Sequence, residues 1–298
     1  MQKISPFLWF DTHAEEAIQH YIDTFANSRI VSINRYPDEP LDIPMEGMEG
    51  KVLTAVFELA GQRFMALDGG PTFRFTPAIS FFVNCETEDE IDQIWARLSD
   101  GGSVLMPLQQ YPFSAKFGWL EDRYGLSWQL NLSARPQKII PFLMFVGEQH
   151  GKAEEAMQFY TSLLENSGIE TLVHYGEGGN GAEGTVQHAV FRLNGQEFMA
   201  MDSNLEHAFT FSEATSFYVE CESQDEVDHF WNKLSAVPEA EQCGWLKDKY
   251  GVSWQIIPTA LPELLNDPDP ERSRSVMQAM LQMKKIDIGA LEKAYDRT

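Results

Sequence analysis

The stretch Gly118-Trp119-Leu120-Glu121-Asp122-Arg123-Tyr124-Gly125-Leu126-Ser127-Trp128-Gln129 returns as Gly244-Trp245-Leu246-Lys247-Asp248-Lys249-Tyr250-Gly251-Val252-Ser253-Trp254-Gln255. Further matches precede it in unchanged order. Lys3-Ile4-Ser5-Pro6-Phe7-Leu8 returns as Lys138-Ile139-Ile140-Pro141-Phe142-Leu143, and Ala14-Glu15-Glu16-Ala17 as Ala153-Glu154-Glu155-Ala156. Gly61-Gln62-Arg63-Phe64-Met65-Ala66 returns as Gly195-Gln196-Glu197-Phe198-Met199-Ala200, and Ser80-Phe81-Phe82-Val83 as Ser216-Phe217-Tyr218-Val219. A constant order over this length is a tandem duplication, with a period too long for a solenoid. The polar segment Ser133-Ala134-Arg135-Pro136-Gln137 reads as the linker. The expected organisation is one domain over 1–132, a second over 138–258, and a helical extension over 259–298.

Each copy has an inner rhythm. Ile4 to Phe10 is a short apolar strand. Thr12-x-x-Glu15 has the form of a capping box, followed by Ala14, Ala17, Ile18, Tyr21, Ile22 and Phe25 at helical spacing. Strands are expected at 29–36, 52–59 and 63–67, with a turn at Ala60-Gly61-Gln62. A second round follows: a strand from Ile79, a capping box at Thr87-x-x-Glu90 (its counterpart is Ser223-x-x-Glu226), a helix, and three strands. The fold class is therefore α+β, built from four βαβββ units, two in each copy.

Composition narrows the partners. The 298 residues are 43% hydrophobic and 12% aromatic, which suits a folded chain. Lys+Arg total 22 against 45 Asp+Glu, a formal net charge of −23. Such a surface repels phosphate backbones and anionic lipid, so neither nucleic acid nor a membrane is an expected partner. Cys85, Cys221 and Cys243 make no disulfide framework, and no signal peptide or spanning segment is read, so a cytoplasmic location is expected.

The unit order and its joints resemble the vicinal oxygen chelate superfamily of glyoxalase, bleomycin-resistance and extradiol-dioxygenase proteins. Within it the chain is similar to PhnB-like proteins, often labelled 3-demethylubiquinone 3-methyltransferase-like. The segments that carry this likeness are Gly101-Gly102 to Met106-Pro107-Leu108, the two Gly-Trp-Leu to Trp-Gln stretches quoted above, and the tail from Leu261 to Leu291. The resemblance implies tandem glyoxalase-like domains whose paired units curl around a pocket for a small-molecule ligand. It also implies where metal ligands stand in metal-dependent relatives. Those positions here hold Ser80 and Ser216, Gln129 and Gln255, and Trp9 or Phe10 with Met144 or Phe145. Hydroxyl and amide oxygens are poor ligands for a divalent transition metal, so no metal and no cofactor are expected.

Several residues remain as candidates. His188, on a strand in the position of Thr54, is either a pocket acid or base with Asp202 (or Asp68) as its carboxylate, or a hydrogen-bonded strand residue. Gln129 and Gln255 could orient a polar group of a ligand, with Ser80 and Ser216 beside them. Trp119 and Trp245 are either stacking platforms or core. Gly176-Glu177-Gly178-Gly179-Asn180-Gly181 matches G-x-G-x-x-G but precedes a strand, so it reads as a loop, like Pro37–Gly50 in the first copy. In the tail, Val276, Met277, Met280, Leu281 and Lys284 lie at helical spacing, and that stripe should dock on the body or a second subunit. Three functions stay open: a metal-free binding protein, a superfamily isomerase, lyase or dioxygenase, and a methyltransferase by label only. The copies form a pseudo-dimer within one chain, and a homodimer of chains stays open as well.

Overall fold

The first unit runs β1 (Ile4–Phe10), α1 (Ala14–Thr24), β2 (Arg29–Arg35), β3 (Val52–Leu59) and β4 (Gln62–Asp68). The structure is a computed structural model that describes residues 2–36 and 47–296. The second unit is β5 (Ile79–Cys85), α2 (Glu88–Leu98), β6 (Ser103–Tyr111), β7 (Ser114–Glu121) and β8 (Ser127–Leu132). The third is β9 (Ile139–Phe145), α3 (Ala153–Leu163), β10 (Gly168–His174), β11 (Val186–Leu193) and β12 (Gln196–Asp202). The fourth is abridged to β13 (Thr215–Cys221), α4 (Gln224–Leu234), β14 (Trp245–Lys247) and β15 (Ser253–Pro258). Twenty positions separate Leu98 from Gly118, but only ten separate Leu234 from Gly244, so the fourth unit lacks chain for a counterpart of β6. The tail forms α5 (Ala260–Leu265), α6 (Pro270–Leu281) and α7 (Ile288–Asp296). Among the described residues no helix is long and apolar enough to cross a membrane. The Gly176–Gly181 stretch is a loop between β10 and β11, while residues 37–46 of its counterpart lie outside the described residues.

Strand pairing crosses the duplication. The seven-stranded sheet has the order β14-β15-β13-β1-β4-β3-β2, and the eight-stranded sheet the order β10-β11-β12-β9-β5-β8-β7-β6. Antiparallel pairing of β1 with β13 joins the first and fourth units, and that of β5 with β9 joins the second and third. The hydrophobic cores follow the copies instead. Tyr21 of α1 and Ile94 of α2 share a core with Phe57, Phe64, Phe81 and Trp128, which come from both sheets. A matching core holds α3 and α4 of the second copy. Because side chains alternate across a strand, each sheet keeps a second face turned away from these helices.

The repeated Asp-x-Tyr-Gly-x-Ser-Trp motif is a structural clasp. Asp122 accepts hydrogen bonds from the Tyr124 and Leu126 backbone N–H groups (2.8 and 3.1 Å), Trp128 Nε1 (2.8 Å) and the Tyr21 hydroxyl (2.7 Å). Asp248 repeats it with Tyr250, Val252, Trp254 and Tyr160. Each clasp ties the β7–β8 turn, or the β14–β15 turn, to the first helix of its copy. Gly125 and Gly251 close these turns at φ 85° and 89°, where a Cβ would be strained.

Helix starts split into two kinds. Thr87 and Ser223 cap α2 and α4, accepting from Glu90 N at 3.2 Å and Glu226 N at 3.3 Å, as the sequence predicts. Thr12 does not cap α1. That duty falls to Asp68 at the end of β4, whose Oδ1 accepts from Ala14 N at 2.8 Å while Oδ2 accepts from Val52 N at 3.0 Å. A carboxylate delivered by the neighbouring strand reaches the helix terminus better than the adjacent threonine and also suits the helix dipole.

Candidate functional site

Register fixes what stands on the helix-free face of the eight-stranded sheet. One row crosses it as Trp119, Gln129, Phe82, Ile140, Glu197 and Arg192. The next contains Ser127, Ser80, Phe142, Met199 and Val190. A third holds Met144 and Met201, with His188 at its end. The middle is an apolar floor in which Ile140, Phe142, Met144, Val190 and Met199 are buried and Phe82, Trp119, Met201 and Phe209 are half-buried. Such a floor with a few fixed polar groups is the usual make-up of a small-molecule site.

The polar groups lie at the two ends. On one side Gln129 Nε2 donates to Ser80 Oγ at 2.8 Å, and Trp119 Nε1 donates to Ser127 Oγ at 2.8 Å. These bonds hold the Gln129 amide and the Trp119 indole in fixed orientations. On the other side stand His188, Glu197, Arg192 and, from the linker, Arg135. Glu197 is 5% exposed; its Oε1 accepts from Arg192 Nη2 at 3.1 Å, while buried Oε2 has no hydrogen-bond partner and lies 3.8 Å from Arg135 Nε. Burial, aided by the Arg135 charge, holds the His188 imidazole below its usual pKa, which favours the neutral ring. Four strand spacings separate β11 from β8, so His188 and Gln129 stand about 19 Å apart across the strands, and two rows apart along them.

The residues nominated from sequence are thus divided. Gln129, Ser80, Trp119 and His188 share one face. Gln255, Ser216 and Trp245 occupy the equivalent places on the seven-stranded sheet, where Gln255 Nε2 donates to Ser216 Oγ at 3.0 Å. Asp202 stands on the opposite face of β12 from Met201 and caps α3, accepting from Gly151 N (2.7 Å), Ala153 N (3.2 Å) and Val186 N (2.9 Å). It does not meet His188, and Asp68 is its counterpart in the first copy. Cys85 and Cys221 are buried thiols pushed up to about 12 by desolvation. Arg135, Glu197 and Phe209 belong to the face but were not singled out. Glu197 had a signal: it stands where the otherwise matching segment of the first copy has Arg63.

A divalent metal does not suit this donor set. The positions the resemblance marks are a serine and a glutamine already bonded to each other, with Met144 and Phe145 on β9. Among the described residues no three His, Cys, Asp or Glu side chains gather to hold a metal. A surface depression of about 870 Å³ lies elsewhere, beside α1, and many of its lining side chains are charged; its Arg35 is paired with Glu15 at 2.8 Å, and its Tyr124 with Glu16 at 3.0 Å.

Comparison with known proteins adds the following. The family model described as 3-demethylubiquinone-9 3-methyltransferase matches residues 2–131 and again residues 137–257. The PhnB protein from Bacillus cereus is 51% identical over 44% of this chain and 100% of its own, with a TM-score of 0.41. A protein from Staphylococcus aureus is 33% identical over 45% of this chain and 98% of its own, with a TM-score of 0.19. Glyoxalase I from Zea mays is 10% identical over 84% of this chain and 92% of its own, with a TM-score of 0.51, a likeness of fold. No curated protein sequence matches the chain.

Proposed function

The chain belongs to the 3-demethylubiquinone-9 3-methyltransferase family, PhnB-like proteins of the vicinal oxygen chelate fold, and from that premise we propose that it binds a small molecule without a metal. The ligand is a mostly apolar compound carrying a hydrogen-bonding head. It lies on the helix-free face of the eight-stranded sheet, its apolar body over Phe82, Phe142 and Met199 and its head at the Gln129 amide. The supporting observation is the Gln129–Ser80 pair, an amide and hydroxyl held in fixed orientation at the margin of an apolar floor. Methyl transfer rests on the family name alone, since the glycine-rich segment is a loop between two strands.

The test is a fluorescence titration with 1-anilinonaphthalene-8-sulfonate, an apolar dye with an anionic head. Saturable binding that weakens at least tenfold in Gln129→Ala supports the reading; a dye affinity unchanged by Gln129→Ala and Trp119→Ala refutes it. Stoichiometric metal retained through His188 would also refute it, as would calorimetric binding of S-adenosylmethionine. A second reading, acid–base isomerisation or lysis of a small oxygenated substrate, draws on the neutral His188 at the edge of the same face. It requires turnover that is lost in His188→Gln.

A further inference from the structure

The seven-stranded sheet has a matching helix-free face, and the chain's own C-terminal tail covers it. Its rows repeat those of the other sheet. Trp245, Gln255, Tyr218, Ser5 and Arg63 follow one another across the strands where the eight-stranded sheet has Trp119, Gln129, Phe82, Ile140 and Glu197. Ser253, Ser216, Phe7, Met65 and Val56 form the next row. The apolar floor is again present, but Phe7, Met65, Tyr218 and Ile257 now pack with Val276, Ile286 and Leu291 of the tail. Those three tail residues are fully buried.

The tail also repairs the abridged fourth unit. In the second unit β6 pairs with β7, so that Met106 faces Trp119 and Gln109 faces Phe117. The fourth unit has no such strand. Instead Cys243 N donates to Met283 O at 2.8 Å and Gly244 N to Lys284 O at 2.7 Å. Gly244 is needed for this approach: at φ 86° a Cβ there would lie 2.4 Å from Ile257 Cδ1 and 3.2 Å from Ile286 Cγ1. The docked segment is then fastened at its rim, by Lys285 to Asp228 (2.7 Å), Lys284 to Glu241 (3.1 Å) and Gln224 to both Ile286 O (3.1 Å) and Ile288 N (2.9 Å).

One detail under the tail points to a site built for something else. Ser127 accepts from the Trp119 indole, but its counterpart Ser253 is buried with Oγ lacking any partner. The Trp245 indole instead lies edge-on against Phe7 and Trp9, with ring centroids at 5.5 and 6.1 Å. The Gln255–Ser216 pair nevertheless persists beneath. A buried hydroxyl without a partner is costly, and a ligand head or a returned indole would satisfy it.

We propose that the face of the seven-stranded sheet is a second small-molecule site masked by the tail. The tail acts as a resident occupant of this face, whereas no described tail residue packs on the floor of the eight-stranded sheet, so the intact chain carries one site free of the tail. Once uncovered, this face takes the same class of ligand, an apolar body with a hydrogen-bonding head placed at Gln255 and Ser253. This extends the reading of the eight-stranded sheet as a ligand face, but the two can fail separately.

The experiment counts 1-anilinonaphthalene-8-sulfonate equivalents on three proteins: the full chain, the full chain with Val276→Asp and Ile286→Asp, and a chain ending at residue 258. Far-ultraviolet circular dichroism reports whether the sheet survives. The expected result is one equivalent on the full chain and two on both altered chains with the sheet retained. A synthetic peptide of residues 260–296 should then displace one equivalent from the shortened chain. Gln255→Ala should leave dye binding to the full chain unchanged but abolish the additional equivalent when the tail is loosened. Two equivalents on the full chain overturn the proposal, as does no gain on a folded altered chain. Loss of sheet structure in both altered chains also overturns it, because the tail is then a structural part and not an occupant. No binding to the full chain with one equivalent on the loosened chain would refute the site on the eight-stranded sheet while supporting the masked one.

Discussion

Replacing Asp122 with alanine strands four donors at once: the Tyr21 hydroxyl, the Trp128 indole N–H and the backbone N–H groups of Tyr124 and Leu126. The carboxyl is 4% exposed, so water cannot simply take its place. Hydrogen bonds to a charged group contribute about 1.5–3 kcal/mol each, and a stranded buried donor costs about 1–3 kcal/mol. The four are not additive, and the tyrosine hydroxyl can rotate towards another acceptor. A net loss of about 4 kcal/mol is therefore expected for Asp122→Ala from these terms. Asparagine is gentler. It keeps Oδ1 for the two backbone donors and presents an amide N–H₂ to which the Tyr21 oxygen can turn as acceptor. Only the indole N–H is left facing another donor, a cost of about 2 kcal/mol. Urea unfolding followed by tryptophan fluorescence gives the ranking, with Asp248→Ala and Asp248→Asn as an internal repeat. The reasoning is refuted if Asp122→Ala costs under about 1.5 kcal/mol, below the value of even one stranded donor and lost charged bond, or if asparagine is the worse substitution.

Other outcomes follow from single contacts. In Gly118→Ala the new Cβ would lie 2.4 Å from Trp95 Cζ3, so the variant should lose about 2 kcal/mol by overpacking, read from its urea midpoint. Asp202→Asn keeps Oδ1 for the α3 cap but turns an amide N–H₂ towards the Val186 N–H, so it should lower stability by about 1–2 kcal/mol while leaving dye affinity unchanged; a binding defect with intact stability would return Asp202 to the site. His188 is held below its unfolded value of 6.5, so its contribution to stability is present above pH 6.5 and lost as pH falls through the lower folded value. His188→Gln should flatten that acid-side loss in thermal melts taken between pH 7 and pH 5, roughly spanning the ordinary histidine range.

The duplication was legible because the clasps are chemical necessities. Aspartate, glycine and tryptophan recur at one spacing since each has a bond or a backbone angle to satisfy, and those demands are local. The helices at Thr87 and Ser223 were legible for the same reason. The start of α1 was not, because its cap arrives from Asp68, fifty-odd positions away, and Thr12-x-x-Glu15 imitates the local pattern. Nor could spacing show that β1 pairs with β13 rather than with β5. Both are apolar strands with the same alternation, and the choice depends on how two cores stack. Among the candidates, Gln129 and Ser80 follow from positions that the family resemblance marks, and His188 from its place on the strand that matches Thr54. Arg135 is hidden in a linker that composition marks only as polar, and the three backbone N–H groups that Asp202 accepts from come from segments that spacing does not bring together.

The crossing of the two sheets has a consequence for how the chain is made. During synthesis β1 leaves the ribosome long before β13, its hydrogen-bonding neighbour, and β5 must wait for β9. The first copy can collapse around Tyr21 and Trp128, yet it then presents two apolar strands with unpaired backbone edges. Those are surfaces that recruit other nascent chains. The gap for β5 closes soon, after the linker, but that for β1 stays open until the last unit emerges. The interval in which this chain is most prone to aggregate is thus set by the distance between its first strand and its thirteenth. Slowing elongation within the third unit should lower soluble yield more than slowing it in the tail.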